Sequence, residues 1–450
     1  MFAALADECI NDINISKDFY LLQYDRVQLT SQEGIKRNFF GAMIHYYLSA
    51  KALNATEFLE SDLGKMLEKL AYKAIEYEEI NSVREIKYKI KIDKNLVNEN
   101  DNELNLSKAV VEFEKFIQMK EMHDNNAIIS LLIKFENFLT EYFKWLVGKY
   151  PEKYLNDKSI KYSDLVKYDY ESMKEELINE SANALMSSTF NEWIRIIRAH
   201  KYDLSNVEEY IHKFKEIYYR RNLIVHNRGK VNRIYLDNIN KAATDLKLGD
   251  KLNVDKDYVI QAYRISMILV YGILYASLKS EKEDRDDYLA LLFDNGFEHM
   301  MKEDWVISKF IYEILMKDKK QDDYTINVSK VNYWISCKNN GEFDKVKKEI
   351  ENTDFSSMLP SLQMAKAIIL ERYDEAVLLM DQAIPEYLYP EVVKDWPLFI
   401  QFRKTHYYDE FLKKYENQLE EQHLEEKNMD NTIDALKNEN VQELELLFKM

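Results

Sequence analysis

Apolar side chains recur every three to four residues along most of this chain, the spacing that gathers them on one face of an α-helix. In Ser31–Leu53 the stripe is Phe39, Phe40, Met43, Ile44 and Tyr47, and Asp62–Tyr77 predicts a second helix. The period then changes. Between Arg84 and Asp93, Ile86, Tyr88, Ile90 and Ile92 alternate with charged residues, which predicts a half-buried strand. A strand needs a partner, and Phe19–Leu29 is the nearby segment that can supply one. Asn95–Glu103, rich in Asn, Glu and Asp, reads as a linker. Helical spacing resumes near Leu106. Ala127–Tyr150 is amphipathic and rich in aromatic residues, and Pro151 stops it. Helices over Tyr170–Glu180, Thr189–Ala199 and Tyr258–Leu278 follow. Ser205-Asn206-Val207-Glu208 fits a capping box, so a further helix starts near Val207. Asn227 and Gly229 end that helix near His226.

The last third reads as irregular helical hairpins. Gly341-Glu342-Phe343-Asp344-Lys345-Val346 matches Glu371-Arg372-Tyr373-Asp374-Glu375-Ala376 at an offset of 30 residues. Each stretch resembles the start of the second helix in a tetratricopeptide-like hairpin, although the repeat of that family is longer, about 34 residues. Lys413–Met450 reads as an acidic terminal helix or tail. Three regions result: a mostly helical N-terminal domain over 1–104 with a short β-hairpin, a helical bundle over 105–280, and a helical-repeat region over 288–450.

Composition supports an all-α chain. Nine Gly and five Pro in 450 residues are too few for a turn-rich β fold. They also leave no room for a phosphate-binding glycine loop or a dinucleotide fingerprint. Cys9 and Cys337 form neither a disulfide framework nor a metal cluster, as expected in a reducing cytoplasm. The longest apolar run, Ile265–Leu278, is too short to span a bilayer and reads as a buried helix. The first ten residues contain Asp7 and Glu8 and no basic start, unlike a signal peptide. The expectation is a cytoplasmic protein without a membrane partner and without a cofactor or bound metal.

Charge then singles out one stretch. The chain carries a net −17, yet residues 211–233 hold seven Lys or Arg against one Glu. An anionic ligand is the simplest reason for such a cluster on an acidic protein. At about 100° per residue, Lys215, Tyr219, Asn222 and His226 share one helix face. Arg221 lies with Phe214, Ile217, Tyr218 and Val225 on another, and five residues place it about 140° from His226. The two can meet on one phosphate if the helix ends between them, or if a two-fold partner brings a second copy opposite the first. Alternatively, Arg and His near a helix C-terminus simply complement the macrodipole.

Arg221-Asn222-Leu223-Ile224-Val225-His226 with its flanks resembles the motif of the HEPN superfamily, found in bacterial abortive-infection and toxin proteins. The resemblance extends over about 126–278. It implies an all-α domain that dimerises and cuts RNA without metal, with Arg221, Asn222 and His226 catalytic. HEPN toxins paired with nucleotidyltransferase antitoxins carry a Tyr two residues after the His. Arg228 stands there in this chain, and Tyr235 is near but out of pattern. In such domains a long helix packs on the motif helix, and Glu136 on Ala127–Tyr150 can pair with Arg221 or remain a solvated charge.

The chemistry is consistent with those residue types. A His near neutral pKa takes the proton of a ribose 2′-hydroxyl, and an Arg that keeps its proton stabilises the phosphorane. Asn222 can orient the imidazole or hold a phosphate oxygen. Arg228, Lys230 and Arg233 suit flanking phosphates, and Tyr218, Tyr219 or Tyr235 suits stacking on an unpaired base. The function expected is a metal-independent endoribonuclease leaving 2′,3′-cyclic phosphate ends, a toxin or anti-phage effector. Its partners would be RNA, a second copy of the chain, and an antitoxin or sensor protein. Two alternatives stay open: a non-catalytic dimer that binds nucleotide or protein, and a helical-repeat adaptor.

Overall fold

The computed structural model describes residues 2–37, 75–82, 85–90, 106–159, 169–239, 246–281, 285–384 and 392–415, with isolated positions between 59 and 68. Two compact units divide the chain. One comprises Leu5–Tyr202 and Val207–Val270; the other comprises Met1–Ala4, Asp203–Asn206 and Tyr271–Met450.

Among the described residues, the first unit is helical except for one hairpin and one isolated bridge. Its main elements are α1 (Phe2–Arg37) from Leu5 onward, β1 (Ile75–Ser82), β2 (Glu85–Ile90), α2 (Leu106–Lys149), α3 (Tyr170–Met186), α4 (Phe190–Arg198), α5 (Glu208–Asn227), α6 (Arg233–Asn238) and α7 (Lys256–Glu281) as far as Val270, with a single helical turn at Pro151–Tyr154. The predicted aromatic stripe of α2 forms the core: Leu131, Leu132, Phe135, Phe138, Leu139, Tyr142 and Phe143 are fully buried. That spacing follows the 3.6-residue period, so a single face collects them all. Phe135 meets Phe214 of α5 at 4.2 Å between ring centroids, and Phe190 of α4 meets Phe214 at 5.1 Å.

Three expectations need correction here. Phe19–Leu29 lies inside α1, so it is no strand. The partner of β2 is β1, antiparallel with Ile80 opposite Ile86 and Ser82 opposite Glu85. The helix expected over Asp62–Tyr77 therefore gives way to strand at Ile75. Closing a tight hairpin costs far less chain entropy than reaching back to a distant segment. Nor does residue 104 separate compact units. α1 belongs with the bundle: Tyr20 Oη donates to Asp124 at 2.7 Å, Lys134 pairs with Asp12 at 2.6 Å, and Ser16 Oγ shares a hydrogen bond with Tyr263 Oη at 2.9 Å. The latter part of Ser31–Leu53, the Asn95–Glu103 linker and the tail beyond 415 lie outside the described residues.

α7 has the length and apolarity to cross a bilayer, but 78% of its most apolar window is buried, so it is a core helix. The division between units falls inside it, between Val270 and Tyr271, rather than at the charged Lys279–Asp287 segment.

The described part of the second unit contains three helical hairpins: α8 (Arg285–Met301) with α9 (Trp305–Lys317), α10 (Asp323–Asn339) with α11 (Phe343–Asn352), and α12 (Pro360–Ile369) with α13 (Tyr373–Ala383). α11 and α13 begin at the aromatic residues the matched stretches single out. Their turns are alike. Gly341 (φ 74°) and Glu371 (φ 60°) are left-handed, and the next N–H reaches back five residues, Glu342 to Cys337 O at 2.8 Å and Arg372 to Ala367 O at 2.9 Å. Glu303 (φ 57°) with Asp304 N–H donating to His299 O at 2.8 Å is a third copy. Sequence matching misses it because Lys302-Glu303-Asp304-Trp305 shares only its aromatic residue with the other two. Within the first hairpin, a Cβ on Gly296 would sit 3.0 Å from both Ile311 and Tyr312, so the absence of a side chain there sets how closely α8 and α9 approach.

Candidate functional site

α5 starts without the expected capping box. Ser205–Val207 form a 3-10 turn in which Asp203 accepts the Ser205 N–H at 3.0 Å, and Val207, the cap position of α5, offers no side-chain bond. The C-terminus behaves as predicted to within a residue. α5 runs to Asn227, Arg228 (φ 52°) and Gly229 (φ 72°) turn left-handed, and Gly229 N–H donates to Leu223 O at 2.9 Å. The helix is thus unbroken from Arg221 to His226. A helix end between them, one of the two ways to bring them onto one phosphate, is excluded. The offset of about 140° therefore stands within a single chain.

Arg221 is held on two sides. Its Nη2 donates to Glu136 Oε1 of α2, and its Nη1 donates to Asn222 Oδ1 at 3.1 Å. The Arg221 and Glu136 side chains are 19% and 26% exposed, so the pair is partly shielded and still open on one side. Arg221 Nε is buried with no acceptor among the described residues. Tyr218 lies below, its ring centroid 5.9 Å from the guanidinium carbon and its flank against Trp193. Burial pushes the Glu136 carboxyl up from its ordinary range, and the Arg221 guanidinium offsets only part of that. Asn222 is therefore an acceptor for Arg221, and no bond from it to the imidazole is present among the described residues. His226 is exposed at the last turn of α5.

Arg228, Lys230 and Arg233 are all exposed, as a phosphate grip requires. They do not sit on a free loop. Residues 229–231 pair with 249–252 in a short antiparallel ladder: Val231 N–H to Asp250 O at 2.8 Å, Gly249 N–H to Val231 O at 2.9 Å, Leu252 N–H to Gly229 O at 2.9 Å. Arg233 opens α6, whose cap Asn232 accepts the Tyr235 N–H at 2.9 Å. Tyr219 is a correction. It is 8% exposed and packs with Leu223, Val231 and Tyr235, so its ring serves the core under the ladder and is not available to stack on a base. Tyr235, 2% exposed, is excluded on the same ground.

The residue that organises this region is Glu216, which sequence reasoning passed over. Oε1 accepts from Arg220 Nε and from Tyr235 Oη, both at 2.7 Å, and Oε2 accepts from Tyr258 Oη at 2.7 Å. Arg220 stacks 4.1 Å over the Tyr258 ring and donates through Nη1 to Asn253 O at 3.0 Å. These contacts from α5, α6 and the start of α7 fix the ladder to the motif helix. The available signal was compositional: Glu216 is the one acid among the seven cations of 211–233, one turn before Arg220. Among the described residues no group of three or more His, Cys, Asp or Glu has the arrangement to hold a metal ion. Compared with family models, curated proteins and solved structures, this chain matches none of them.

Proposed function

We propose that this chain is a HEPN-type endoribonuclease that cuts RNA by attack of a ribose 2′-hydroxyl on the adjoining phosphate, acting as a toxin or anti-phage effector. His226 takes the 2′-hydroxyl proton as the new P–O bond forms. Arg221 stabilises the extra negative charge of the phosphorane. The imidazole of a second copy protonates the departing 5′-oxygen, leaving a 2′,3′-cyclic phosphate and a 5′-hydroxyl. One observation carries the reading: a guanidinium clamped by Glu136 and Asn222, followed on the same unbroken helix by an exposed imidazole. Their separation of about 140° around that helix favours a composite site from two copies. Ile133 and Val225, each 48% exposed, lie three and four residues from Glu136 and Arg221 and offer apolar surface for that contact. Purified protein should cleave RNA in EDTA and fail on a substrate with 2′-deoxyribose at the cut site. Expression of wild type, but not His226→Ala, should arrest bacterial growth. A strict monomer at micromolar concentration that still cleaves would sink the composite site.

A second reading, a non-catalytic dimer that binds nucleotide or protein, draws on the same ion pair, because Glu136 already neutralises Arg221 in the resting chain. Purified wild type that leaves RNA uncut, or a trace activity equal in His226→Ala and removed by further purification, would leave that reading in place.

A further inference from the structure

A cleft of about 400 Å³ opens within the unit formed by Asp203–Asn206 and Tyr271–Met450. Asp203 and Asn206 line it from the turn, Tyr275 and Lys279 from α7, Phe310 and Lys317 from α9. Its volume falls at the lower end of the range of about 300–1,000 Å³ occupied by small-molecule sites. That suits a mononucleotide better than a dinucleotide or a peptide.

The charged groups divide by what they have left to offer. Lys317 is engaged with Glu313 at 2.5 Å. Lys279 has no carboxylate within ion-pair distance among the described residues, the charge of Asp203 reaching it only from farther off; its ammonium sits 5.6 Å from the Tyr275 ring centroid. Asp203 accepts from Ser205, which holds its carboxyl below the usual range, and an ionised carboxylate has further lone pairs for a ligand. Tyr275 and Phe310, 5% and 4% exposed, close the bottom of the cleft as an apolar floor of ring edges, without an open face for stacking. Asn206 adds an amide that can both donate and accept.

We propose that this cleft binds a ribonucleoside monophosphate, with the phosphate on Lys279, the ribose hydroxyls on Asp203, the base against the Tyr275–Phe310 floor and its edge on Asn206. An ammonium for phosphate and a carboxylate for the ribose diol are the recognition each group needs. A metal ion fits less well, since Glu313 already serves Lys317 and Asp203 is then the one lining carboxylate left to hold it. The site is independent of the chemistry proposed for α5.

Isothermal titration of the full chain with the four ribonucleoside monophosphates, one 2′-deoxy counterpart, one nucleoside and inorganic phosphate tests it. At least one monophosphate should bind one-to-one with Kd below about 1 mM. Lys279→Met should weaken it about tenfold, to the level of the nucleoside, and Asp203→Asn should abolish the preference for ribose over deoxyribose. Both positions are exposed, and circular dichroism checks that the variants fold. No binding of any monophosphate at about 1 mM, or affinity indifferent to either substitution, overturns the proposal. So does inorganic phosphate binding as tightly as the nucleotide, or binding that disappears with Arg221→Met instead.

Discussion

Replacing Glu136 by Gln keeps the shape of the side chain and removes the charge that faces Arg221. The guanidinium is then left with neutral acceptors alone, Asn222 Oδ1 and the amide oxygen at position 136, with Nε already lacking one among the described residues. Breaking a fully buried ion pair costs about 3–5 kcal/mol, because the surviving charge stays desolvated. Here the side chains keep 19% and 26% of their exposure, so water recovers part of that and the expected loss is about 1–3 kcal/mol. At about 2–4 °C per kcal/mol, the melting transition should fall by several degrees. Arg221→Met should cost a similar amount, and the double variant should be less destabilised than the sum, with a coupling of about 1–3 kcal/mol. The same four proteins are then assayed for RNA cleavage. Glu136→Gln should slow cleavage in the wild-type background by loosening the guanidinium, and should do nothing further once Arg221 is Met. Additivity of the two stability losses within about 0.5 kcal/mol would refute the pairing argument. Equal slowing by Glu136→Gln in both backgrounds would show that Glu136 does not act through Arg221.

Grip and chemistry should separate. Lys230→Gln with Arg233→Gln should weaken RNA binding most at low salt and flatten its salt dependence, while His226→Ala leaves binding nearly intact and slows single-turnover cleavage by about 10²-fold or more. The reverse pattern in binding and cleavage assays would reassign both sets. Glu216→Gln or Tyr258→Phe should free the 229–252 ladder at a cost of about 1–3 kcal/mol, read as faster hydrogen exchange of the Val231 and Leu252 amides; unchanged protection would show that the ladder holds itself. In the hairpin unit, hydrogen bonds from Lys309 and Lys345 hold the Glu342 carboxyl down to about 2 from an ordinary 4.5. Its stabilisation is therefore complete above the ordinary value and is lost as pH falls toward about 2. Lys309→Met should lower stability at neutral pH and flatten that acid-side decline in urea titrations, and an unchanged slope would contradict it.

Whatever depends on residues near one another along the chain was legible in sequence. The 3.6-residue period of α2 marked its buried face, Asn227 and Gly229 marked the end of α5, and the paired stretches at 341–346 and 371–376 marked the starts of α11 and α13. Those signals are local because helical hydrogen bonds and caps span only a few residues. The cluster of cations around Arg221 was visible for the same reason, being a matter of composition within one segment. Tertiary structure decided which partner each charged or aromatic group found. Glu136 was only one of two readings until α2 packed on α5, 85 positions away. Glu216, silent in sequence, became a hub because Tyr235 and Tyr258 arrive from 19 and 42 residues downstream. Tyr219, polar-faced by the helical wheel, was buried by the ladder that folds back across it. A side chain's role at a site depends on what removes water from around it, and in this chain the covering residues come from segments whose approach no local pattern encodes.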